Sequence, residues 1–181
     1  MCIISVWPSK NRKADIDMNK QEIFNGLWKI TKEKHLACKE EANAIGKDHP
    51  TEKGILQLKA GIYNVATAAA MLSGTENAID LMCKRFVNLV KFFPSLDKYY
   101  QSLSAEEKDI MAVALYPEVF MRANFYKTYN KELEEAEKEG SPQQIFKARV
   151  KKEVLDEILT TWRNFRVQND LFVFAFGEKE K

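Results

Sequence analysis

Ile55–Leu72 reads ILQLKAGIYNVATAAAML, and no charge appears in it after Lys59. Ala, Leu and Met are strong helix formers, and only Gly61 argues against a continuous helix. A helix apolar on nearly every side belongs in a core or a membrane. The uncharged run begins only after Lys59 and is interrupted by Tyr63, Asn64 and Thr67, so it is shorter than the ~20 residues a bilayer requires. The sequence therefore predicts no membrane span and a buried central helix, its small side chains letting larger neighbours close in.

Capping signals place the other helices around it. Asn19 and Glu22 have the spacing of a capping box, as do Ser104 and Glu107. From Asn19 to Gly46, a stripe of Phe24, Leu27, Trp28, Thr31, His35, Cys38, Ala42 and Ile45 recurs at helical spacing. Pro50 is placed to open the central helix. Glu76–Phe93 carries a wide apolar face and stops at Pro94; residues 96–103 read as a connector or short helix. The helix begun by Ser104 is expected to break or kink at Pro117, with another following over Glu118–Glu139. Gly140-Ser141-Pro142 combines a helix stop, a cap and a first-turn proline, and a last long helix runs over Gln143–Asn169.

These signals describe one all-α domain over residues 1–181. It is an irregular bundle of about five or six helices around a buried central one, with an N-terminal arm at 1–18 and a C-terminal apolar segment and charged tail at 171–181. Leu171–Phe176 alternates like a strand and could form a small ribbon with Ile3–Trp7, continue the last helix, or remain exposed.

Chemistry is harder to place. Twenty-eight Lys and Arg against 26 Asp and Glu give a net charge of +2, too small to recruit nucleic acid through a whole-molecule field. Three scattered cysteines, Cys2, Cys38 and Cys83, make no disulfide framework. With no signal-peptide pattern at Met1–Pro8, a cytoplasmic location is expected. His35 and Cys38 share a face but lack the partners that complete a metal site, and neither nucleophile elbow nor phosphate loop is present. Neither metal, cofactor nor catalytic residue is expected.

Three groups remain as binding candidates. Tyr63, Asn64 and Thr67 put polar groups on the apolar helix, where with Tyr126 they could furnish a ligand pocket or simply bond between helices. Phe172, Phe174 and Phe176 could anchor a partner protein, and such a segment also allows self-association. Lys10, Arg12, Lys13, Lys147, Arg149, Lys151 and Lys152 form two basic clusters, the second diluted by Glu153, Asp156 and Glu157. The leading expectation is a non-enzymatic helical protein acting by macromolecular binding, as adaptor, inhibitor or structural component. A ligand-binding or enzymatic bundle is the alternative, and a nucleic-acid-associated protein the third.

Overall fold

A computed structural model describes residues 18–71 and 77–176. It is all-α: α1 (Lys20–Ala44), α2 (Pro50–Met71), α3 (Ala78–Leu89), α4 (Pro94–Gln101), α5 (Ala105–Met121), α6 (Lys127–Glu139) and α7 (Pro142–Gln168). A 3-10 turn at Val90–Phe92 joins α3 to α4, and a π-helical stretch at Arg122–Tyr126 joins α5 to α6 without a break. The helical rods among the described residues thus number six.

Both predicted capping boxes form. The Asn19 side chain accepts from the Gln21 and Glu22 amides, and Glu22 accepts in return from Asn19 N–H. Ser104 and Glu107 make the same exchange at the start of α5. At the α6–α7 junction Gly140 takes the left-handed conformation at φ 70° that a residue with a Cβ adopts only under strain. Ser141 then caps α7 through the Gln144 amide.

The central helix is α5, not α2. Every residue from Met111 to Val119 is buried, and α1, α2, α3, α4 and α7 all pack against this helix. By contrast, α2 buries one face (Ile62, Tyr63, Ala66, Ala69, Ala70) and turns Gly61, Asn64 and Ala68 to the outside. The reason is physical. Alanine and glycine have little apolar surface, so their exposure forfeits little hydrophobic free energy, and an alanine-rich helix need not be enclosed. In α5 it is Met111, Val113, Leu115, Tyr116, Val119 and Met121 that require burial.

Two other boundaries differ from expectation. Helix α5 passes through Pro117 and ends at Met121, because its buried stretch from Met111 to Val119 is held by packing despite one missing amide. Pro94 opens α4 at its first turn instead of only closing the helix before it. The C-terminal segment Leu171–Phe176 is irregular, neither strand nor helix. Ile3–Trp7, its expected ribbon partner, lies outside the described residues.

α1 and α2 make the most extensive pairing, and α7 packs against both. The approach of α1 to α7 is close at Gly26: a Cβ there would stand 2.3 Å from Phe165 Cζ, so only glycine fits without moving the ring. Trp162, fully buried on α7, donates from Nε1 to the Leu27 carbonyl at 3.2 Å and locks the two helices in register.

Candidate binding groove

Helices α2 and α7 run parallel, both starting at the same end of the bundle. Farther along they are joined by Tyr63, whose hydroxyl donates to Glu157 Oε2 at 2.7 Å. Toward their N-terminal ends they frame an apolar groove of about 400 Å³ lined by Pro50, Thr51, Gly54, Ile55, Leu58, Gln143, Phe146, Lys147 and Val150. The spacing explains the lining. Thr51, Gly54, Ile55 and Leu58 occupy one face of α2 at intervals of three and four, as do Gln143, Phe146, Lys147 and Val150 on α7. Phe146 is 50% exposed, and nothing stands within 4 Å of where a Gly54 Cβ would be. The groove runs for about two helical turns, ~10 Å at 1.5 Å per residue.

A second hollow, about 220 Å³, lies on the other side of Lys147 between α6 and α7, lined by Glu132, Glu135, Ala136, Gln144, Ala148 and Lys151. It is polar and bridged: Lys151 Nζ reaches Glu132 Oε2 at 2.6 Å.

The predicted site residues fall in different places. Tyr63 is buried and spent on Glu157, which also takes Lys34 Nζ at 2.8 Å. Burial, then the neighbouring Glu157, hold the Tyr63 hydroxyl well above its usual range. Burial works against the Glu157 carboxylate too, but donation from Lys34 and Tyr63 outweighs it, leaving its pKa below the usual value. Thr67 donates to the Tyr63 carbonyl within its own helix at 2.7 Å, and Asn64 is exposed. Tyr126 sits on the π-helical stretch under the Arg122 guanidinium, not with the other three. These four residues therefore do not converge on one cavity.

Phe174 and Phe176 are buried and Phe172 is half-buried. Phe176 stacks edge-on against Phe93 and Phe174 and lies beneath Arg122, with 4.2 Å from guanidinium carbon to ring centre; Phe172 meets Tyr99. The segment is folded inward. Lys10, Arg12 and Lys13 lie outside the described residues. On α7, Arg149 pairs with Glu137 (3.1 Å), Lys151 with Glu132 and Lys152 with Asp156 (2.6 Å). Lys147 has no carboxylate within 4 Å among the described side chains, although it is exposed.

His35 donates through Nδ1 to the Ala60 carbonyl at 2.9 Å, a helix-to-helix bond. Burial, followed by Asp109, pushes the Cys83 thiol up to about 11, and burial raises Cys38 as well. Among the described residues no group of three or more His, Cys, Asp or Glu is arranged to hold a metal ion. No described helix is long and apolar enough to cross a membrane.

Sequence reading missed two features. The groove had a faint signal, an apolar residue pair (Phe146, Val150) and Gly54 inside otherwise good helices, where glycine lowers stability by ~1 kcal/mol relative to alanine. The second is a buried charge cluster. Arg166 (0% exposed) bonds through Nη2 to Glu118 Oε2, while Arg122 Nε reaches Glu118 Oε1 at 2.9 Å. Glu118, 2% exposed, thus faces two guanidinium groups, and Arg166 Nη1 adds a long contact to the Ala114 carbonyl.

No family model, curated protein or solved structure matches the chain.

Proposed function

We propose that this chain is a non-enzymatic binding protein that docks a helical segment of a partner protein into the groove between α2 and α7. The observation that carries the reading is an apolar trough between two helices that no described residue covers, with Phe146 half-exposed at its wall and no side chain at Gly54 to fill it. Its dimensions suit the mode in which a short amphipathic helix lays apolar residues at i, i+3 or i+4, and i+7 into a hydrophobic channel. Of the polar groups that could furnish a ligand pocket, Tyr63 and Thr67 are engaged internally and Asn64 is exposed, and most of the basic cluster on α7 is paired with neighbouring carboxylates.

Gly54→Leu is the direct test. The new side chain enters open space and improves helix propensity, so the fold is retained or strengthened while the trough is filled. Cross-linking of the tagged full chain in the cells that make it is expected to yield a partner that Gly54→Leu loses at least ~10-fold, a ~1.4 kcal/mol effect. Gly61→Leu, equally open but outside the groove, should leave capture unchanged. Identical capture by wild type and Gly54→Leu would contradict the reading.

A further inference from the structure

The charges around the groove select among helical partners. Of its nine lining residues one is charged, and that one is Lys147. Its neighbours in the basic run of α7, Arg149, Lys151 and Lys152, each have a carboxylate, whereas Lys147 has none within 4 Å among the described side chains. Across the second hollow Glu132 is held by Lys151, and Glu135 by Lys131 at 3.4 Å. Glu52, the acidic residue in the first turn of α2, does not line the trough; its carboxylate lies 3.6 Å from His49 Nδ1, an ion pair only when that imidazole is protonated. The first turn of α7 contains no acidic residue, so the positive end of this 27-residue helix, capped by the neutral Ser141 hydroxyl, has no carboxylate of its own beside Gln143.

The geometry points to an acidic amphipathic helix as the occupant: apolar anchors seated along Ile55, Leu58, Phe146 and Val150, with an Asp or Glu side chain meeting Lys147. This rests on the docking function proposed above and adds the partner's charge. Such a carboxylate supplies a pairing that Lys147 lacks among the described side chains, and a basic flank in its place would meet Lys147 and the positive start of α7 with like charge.

A displayed library of random 14-residue peptides, selected on the full chain and counter-selected on Gly54→Leu, tests both layers. The selected peptides should carry Leu, Ile, Met or Phe at helical spacing together with at least one acidic residue. Lys147→Glu should weaken a selected peptide about 3- to 10-fold, and reversing the peptide's own acid to Lys should restore binding to that variant. Binding of the acidic peptides should also weaken as salt is raised. Groove-dependent peptides with basic or uncharged flanks, or with no response to Lys147→Glu, would overturn the charge assignment and leave the docking site standing. A selection in which no peptide distinguishes wild type from Gly54→Leu would overturn both.

Discussion

Glu118 and Arg166 hold a position where a single change has large consequences. Both are removed from water, and the Arg166 carbonyl also accepts the Leu171 amide at 2.9 Å, so the pair ties α5, α7 and the start of the C-terminal segment together. Removing one member of a buried pair leaves an uncompensated charge, at about 3–5 kcal/mol, whereas replacing both by apolar residues can be nearly neutral. Glu118→Leu should therefore lower the urea midpoint sharply, and combining it with Arg166→Met and Arg122→Met, which removes all three charges, should recover most of the loss. A triple variant as unstable as the single one would show that the charge is not what matters. Glu157 offers a pH-dependent counterpart. Its pKa is lower in the folded chain than in the unfolded one. Its contribution is then present above the unfolded carboxylate value of about 4.3 and is lost as pH falls through the lower folded value. Glu157→Gln should flatten stability against pH on the acid side, measured by urea unfolding from pH 6 to 3; an unchanged slope would contradict the Lys34–Glu157–Tyr63 arrangement. That Tyr63 and Thr67 would need partners was legible from their place in an apolar run. That Glu118 and Arg166 would meet was not, since they are 48 residues apart and each alone looks like a surface charge.

Helices α1, α5 and α7 show how far local sequence specifies an element. Asn19, Ser104 and Ser141 all cap where their spacing predicted, because a cap bonds to amides two or three residues away and needs no tertiary partner. Ser104→Ala should cost about 1 kcal/mol, with the Glu107 pKa, held low by Ser104, returning toward the ordinary carboxylate range. Thermal unfolding and carboxyl NMR titration would check the two halves separately, and an unmoved Glu107 would refute the box as the cause. The error at Pro117 is of the opposite kind. Proline's local preference is to end a helix, but here the surrounding helices bury every residue from Met111 to Val119 and the run continues into the π-helical stretch. The same tertiary override hid the true core. The apolar segment 110–121 is interrupted by Pro117 and the charge of Glu118, so it looked less like a core than the charge-free run of smaller side chains in α2.

At the scale of the molecule, the all-α bundle class was legible because every helix carries its own periodicity and boundary residues. The arrangement was not. Which helix becomes central depends on the apolar area each face can bury, and that is decided between elements. The binding surface was illegible for the same reason, since five of its residues come from α2 and four from α7, some 90 positions apart. Hydrogen exchange on the full chain, alone and saturated with its captured partner, addresses this surface most directly. The account predicts slowed exchange concentrated at residues 51–58 and 143–150. Slowed exchange confined to residues 171–176, with both groove segments unchanged, would contradict it.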